Sequence, residues 1–172
     1  MIWTDPMKTL RIMGVDPGMG HTGWAVIEGR GNDWKIIDID TFRNRSAMHD
    51  QEIDRSLIRD CVVSVAHNYK IILAATQVLT GNGKFAFFTK GAAAKVRNAE
   101  LSQTIHGALC VTGQRLGFGV IPIPSQDCKG KGFKMDKTMW QRYWDYDGNT
   151  SEDARDATQI ARMGADILAR EK

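Results

Sequence analysis

Ten residues from Lys70 to Leu79, KIILAATQVL, form a nearly continuous apolar run with no acid in it. Such a strand has no face to give to water. It calls for cover on both sides, as a central parallel strand receives from helices packed above and below the sheet. The flanking segments fit that demand. Asp50 to Asn68 is helical in period, with Ile53, Leu57, Ile58, Cys61, Val62 and Val65 on one stripe. A second helix is expected from Thr89 or Gly91 to Leu116, after a loop at Thr80-Gly81-Asn82-Gly83.

Three strands come first. Leu10 to Val15 is a buried run stopped by Asp16-Pro17-Gly18, Gly23 to Glu28 follows, and Gly29 to Asn32 turns the chain into Trp34 to Phe42. Phe118 to Ile123 supplies a fifth strand, Met135 to Trp144 a short helix, and Thr150 to about Arg170 a last one. The order βββ-α-β-α-β-α predicts an α/β protein with a mixed five-stranded sheet flanked by helices. Right-handed crossovers would set the first and fourth strands side by side. The 172 residues fit one domain, with residues 1–9 as a short leader.

Two motifs carry chemistry. In Gly14-Val15-Asp16-Pro17-Gly18 an acid ends a buried strand, at the sheet edge where open α/β folds bind ligands. As a bare tripeptide, Asp-Pro-Gly is also an ordinary turn. In Glu152-Asp153-Ala154-Arg155-Asp156-Ala157 the acids open a helix that Thr150 or Ser151 can cap. Asp153 and Asp156 stand at i and i+3, and Ala157, Ile160 and Ala161 continue their face as apolar packing. Two carboxylates on the sheet-facing side are costly unless a cation neutralises them. Asp16, Asp153 and Asp156 are hard oxygen donors without a matching His/Cys cluster, which favours Mg²⁺ or Mn²⁺ over zinc.

Charge is unevenly spread, although the net value is only +3. Lys84, Lys90, Lys95 and Arg97 form one cluster, and Lys129, Lys131, Lys134 and Lys137 another. Cations around an acidic centre suit a metal-dependent nuclease, the lysines holding phosphates while the carboxylates hold metal. Three separated cysteines, Cys61, Cys110 and Cys128, fit neither a disulfide framework nor a CxxC metal site. They point to the reducing cytoplasm, with Cys61 and Cys110 as small core residues. No apolar run is long enough for a membrane span.

GVDPG followed by TGWAVIE, and DARDA ahead of an apolar helix, together resemble the two ends of the RuvC-type Holliday junction resolvases. These are nucleases of the ribonuclease-H-like superfamily. The resemblance implies a homodimer that binds four-way DNA junctions and nicks them in symmetrical pairs with two Mg²⁺ or Mn²⁺ ions per site. It makes Asp16, Asp153 and Asp156 three of four catalytic, metal-binding acids. The fourth should be a glutamate ending the strand beside that of Asp16, closely followed by glutamine-valine. No carboxylate lies between Lys70 and Lys95. Gln77-Val78 therefore puts Ala75 or Thr76 at the missing position, with Ala75 preferred because alanine is the usual choice when a carboxylate is deleted by design. Natural loss to a binding-only protein is the other account. Either way the chain should bind DNA better than it cuts it.

The resemblance also places Lys84, Phe85 and Lys90 in a loop presented to the junction centre, where Phe85, Phe87 or Phe88 could stack on a base or serve as core or dimer contacts. Lys131 and Lys134 lead the basic loop that grips phosphates. Trp140, Tyr143, Trp144 and Tyr146 read as packing. Rival classes are an actin-like phosphate-binding domain, which would need a second such domain to clasp a nucleotide, another nuclease of the same superfamily, and a non-catalytic junction-binding protein.

Overall fold

The computed structural model describes residues 9–43, 51–78, 92–129 and 133–170. Within them the chain runs β1 (Leu10–Asp16), β2 (His21–Arg30), β3 (Asp33–Arg43), α1 (Gln51–Asn68), β4 (Leu73–Val78), α2 (Ala92–Leu116), β5 (Gly119–Pro124), a 3₁₀ turn at Asp127–Lys129, α3 (Lys137–Trp144) and α4 (Glu152–Arg170). The five strands form one sheet in the order β3-β2-β1-β4-β5. β1 pairs antiparallel with β2 and parallel with β4, and β4 pairs parallel with β5. The expected adjacency of the first and fourth strands is present.

Alternation along the strands sorts side chains to two faces. Met13, Val15, Val26 and Ala74 pack with Ile58, Val62 and Val65 of α1 and with Leu101, Ile105 and Leu109 of α2. Ile12, Ala25, Ile27 and Leu73 pack with Ala154, Ala157, Ala161 and Ala165 of α4 and with Trp140 and Trp144 of α3. Among the described residues no helix is long and apolar enough to cross a membrane.

Helix α4 lies against β1 and β2 at backbone distance. A Cβ built on Gly14 would stand 1.9 Å from the Ala157 carbonyl oxygen, and one on Gly23 would stand 2.0 Å from that of Asp153. Glycine at these two strand positions is therefore a packing requirement, which brings the first turns of α4 down onto the end of β1. Helix α3 is tied to α4 by a buried relay. Trp140 Nε1 donates to Thr158 Oγ1 at 2.7 Å, and the Thr158 hydroxyl donates to the Arg155 carbonyl at 2.6 Å. Trp140 and Trp144 are core, while Tyr143 is half-exposed and Tyr146 meets the Trp140 ring edge-on.

Two expectations from the sequence are corrected. Cys61 is exposed and Cys110 half-buried, so neither is a core residue, and the buried cysteine is Cys128. Leu57 is also exposed, at 57%. Among the described side chains the buried stripe of α1 is narrower than its apolar pattern, with Ile58, Val62, Val65 and Ala66 facing the sheet and α2, while the Ile53 side chain lies outside the described residues.

Candidate functional site

Asp16 is the last residue of β1, paired with Gly23 of β2, and the chain then leaves the sheet through Pro17-Gly18. The turn is held by Thr22. Its hydroxyl donates to the Gly18 carbonyl at 2.9 Å and accepts from the Gly18 amide at 3.3 Å. Asn98 of α2 accepts from the Met19 amide at 3.0 Å. At Gly20 a Cβ would meet nothing within 4 Å, so the tip of the turn is open.

Ser151 caps α4, its Oγ accepting from the Ala154 amide at 3.1 Å and also bonding to Thr41 of β3. Arg155 Nη1 donates to the Thr150 carbonyl at 2.9 Å. Both contacts fix the first turn, and Asp153 and Asp156 then project half-buried toward the end of β1. Burial, followed by the charges of Asp156 and Asp153, raises the pKa of Asp16 to about 7. Burial raises that of Asp156 to about 6, opposed by Lys134 and reinforced by Glu152 and Asp153. Lys134 lies close enough to lower both values, and its Nζ is 3.4 Å from Glu152 Oε1. The structure thus brings Asp16, Asp153 and Asp156 to one sheet edge, 137 and more residues apart in sequence. Among the described residues, no three His, Cys, Asp or Glu side chains stand close enough to hold a metal ion as they lie. The donor set nonetheless suits a hard divalent cation. It consists of carboxylate oxygens whose mutual repulsion and burial no neighbouring cation fully offsets.

Ala75 is not at this edge. It is fully buried beside Ile160, Ile123, Cys128 and Phe133, paired with Gly14 and so two rows behind Asp16. Thr76 pairs with Val15 and is fully buried too. The residue that sequence reasoning passed over is Cys128, carried under the site by the 3₁₀ turn. Its Sγ donates to the Pro124 carbonyl at 3.8 Å. Burial, then Asp16, pushes the thiol up to about 12, with Gln77 acting in the opposite direction. No motif in the sequence signals that contact.

Of the expected phosphate-binding residues, Lys129, Lys134 and Lys137 are exposed and Arg97 is half-buried. Lys84, Phe85, Phe87, Phe88, Lys90 and Lys131 lie outside the described residues, as does the Lys95 side chain. Lys137 Nζ donates to Asn149 Oδ1 at 3.3 Å.

The family model described as crossover junction endodeoxyribonuclease RuvC matches residues 12–105, more than half of the chain. The chain belongs to the RuvC family. RuvC of Rhizobium johnstonii is 33% identical over 70 residues, 41% of each chain, and RuvC of a Synechococcus strain is 27% identical over 120 residues, 70% of each. The match to the Rhizobium protein thus spans well under half of that relative's length. Among solved structures, Thermus thermophilus RuvC in complex with a Holliday junction substrate aligns at TM-score 0.69 with 17% identity, covering 94% of this chain and 96% of that one. The Fowlpox virus resolvase in complex with junction DNA aligns at 0.53 with 16% identity, covering 91% and 99%. These likenesses show a shared ribonuclease-H-like fold.

Proposed function

We propose that the chain is a RuvC-type endonuclease for four-way DNA junctions, working as a homodimer in the cytoplasm with Mg²⁺ or Mn²⁺. The convergence of Asp16 with Asp153 and Asp156 at the end of β1 carries this reading. Those three side chains would hold the metal, which when bound activates water and stabilises the leaving oxygen of a phosphodiester. In the metal-free site Asp16 retains its proton until about pH 7. Metal must displace that proton, so binding should strengthen as pH rises through this range. Lys134 offsets part of the acidic charge, and the exposed Lys129 and Lys137 would offer further phosphate contacts. A symmetric dimer would pair two sites for two nicks.

A second reading, a junction-binding protein with little cleavage, is favoured by one observation: the run from Lys70 to Lys95 contains no carboxylate. A mobility-shift assay with a four-way junction and a linear duplex, with EDTA or Mg²⁺, tests both. Selective retention of the junction is expected, and nicking in Mg²⁺ separates the enzyme from the binder. Equal affinity for duplex and junction would overturn both readings.

A further inference from the structure

We infer that Gln77, rather than Ala75 or Thr76, supplies the fourth side chain of the acidic site and presents a neutral carboxamide to the metal. The inference rests on the metal-dependent reading above and deepens it.

The strand register is the first ground. β1 and β4 pair as Ile12 with Leu73, Met13 with Ala74, Gly14 with Ala75 and Val15 with Thr76. Paired residues of parallel strands share a face, so the next row sets Gln77 beside Asp16. Packing gives the same parity. Ile12 and Leu73 lie on the α4 side, and so does Ala75, whose Cβ would stand 2.8 Å from one built on Gly164. Met13, Val15 and Ala74 lie on the α1 and α2 side, the parity that Thr76 follows. Gln77 therefore shares the face of Asp16, Asp153 and Asp156.

Its surroundings are the second ground. Gln77 is only half-buried, unlike the four fully covered residues before it on β4. Its carbonyl accepts from Ser102 Oγ of α2 at 2.7 Å, which fixes the strand end. Its side chain lies against the Cys128 thiol, which packs with Ala75 and with Ile160 of α4. The carboxamide is thus held on the α4 side of the sheet, the face that the register gives it.

An amide oxygen is a hard donor that Ca²⁺ and similar ions accept, but it brings no charge. A site of three carboxylates and one amide should bind a divalent ion more weakly than one of four carboxylates. Ala75 is excluded because the site of its methyl is closed by Ile160 and Gly164.

Mn²⁺ binding to the full chain without DNA, followed by electron paramagnetic resonance at about pH 8, tests the assignment. Gln77→Glu should tighten Mn²⁺ by about tenfold or more, since a full charge replaces a dipole. Gln77→Met, similar in shape but without the oxygen, should weaken it several-fold and keep a parental thermal melt. Ala75→Glu and Thr76→Glu should lower the melting temperature without tightening Mn²⁺. If Thr76→Glu or Ala75→Glu tightens Mn²⁺ while Gln77→Glu does not, the assignment is overturned. No response to either Gln77 variant, with binding lost in Asp16→Asn, overturns it and leaves the metal reading standing. Binding by Asp16→Asn equal to the parent overturns both.

Discussion

Removing the charge of Asp16 should stabilise the metal-free protein, by an amount that grows as pH rises toward about 7 and is complete above it. The unfolded chain ionises this group near 3.8, whereas the folded chain holds its proton to about 7. Between those values folding takes up a proton, so stability falls as pH rises from about 4 to about 7. Holding the carboxylate ionised above that range costs about 4 kcal/mol. Asn at position 16 has no charge to desolvate, but an unpaired buried amide costs about 1–3 kcal/mol. The net gain for Asp16→Asn at about pH 8 in EDTA is then about 1–3 kcal/mol, or roughly 3–10 °C in melting temperature for a domain of this size. At about pH 5 the parent already carries the proton, and the gain should vanish or reverse. Thermal melts of both proteins at the two pH values, followed by circular dichroism, measure this. The same difference at both pH values, or a parent more stable at the higher one, would refute the account of burial and repulsion at this site. Mg²⁺ should close the gap by stabilising the parent alone.

Other outcomes follow from the packing and the charges. Gly14→Ala drives a methyl into the Ala157 carbonyl and should cost at least about 3 kcal/mol, read as a fall in the urea midpoint; an unchanged midpoint would contradict the backbone contact of α4. Thr158→Val leaves Trp140 Nε1 buried without a partner and should cost about 1–3 kcal/mol, much of which the double variant with Trp140→Phe should recover in a double-mutant cycle. Replacing Lys129 and Lys134 together by Ala should weaken junction binding and lower the slope of log K against log salt by about 2; an unaltered slope would take both lysines off the DNA surface.

Much of this architecture is readable from the chain alone, because apolar period and turn residues mark each element. The stop at Asp16-Pro17 and the i, i+3 spacing of Asp153 and Asp156 point to one sheet edge once strand order is inferred. The register of β4 against β1 is another matter. A slip of one residue exchanges the faces of Ala75, Thr76 and Gln77, and nothing local in LAATQV decides between them. The contacts of Cys128 depend on a three-residue turn between distant elements. Cys61 and Leu57 show the opposite failure, in which an apolar residue at helical spacing lies beyond the width of the partner surface. The choice of Ser151 over Thr150 as the cap depends on where the helix begins, which propensity places only to within a residue or two.

The contact of α4 with β1 and β2 has a consequence for how this site can change. Peptide groups touching through Gly14 and Gly23 act as a fixed spacer, with no side chain between them to shorten or swing aside. The gap spanned by the acids is thus set by main chain, and variation at the site must come from the reach of the side chains that cross it. Charge can be exchanged at constant length, as between Glu and Gln or Asp and Asn. A lengthened arm, such as Asp16→Glu, would carry its oxygens about one methylene past the place the spacer allows. Substitutions here should therefore divide by length before they divide by charge.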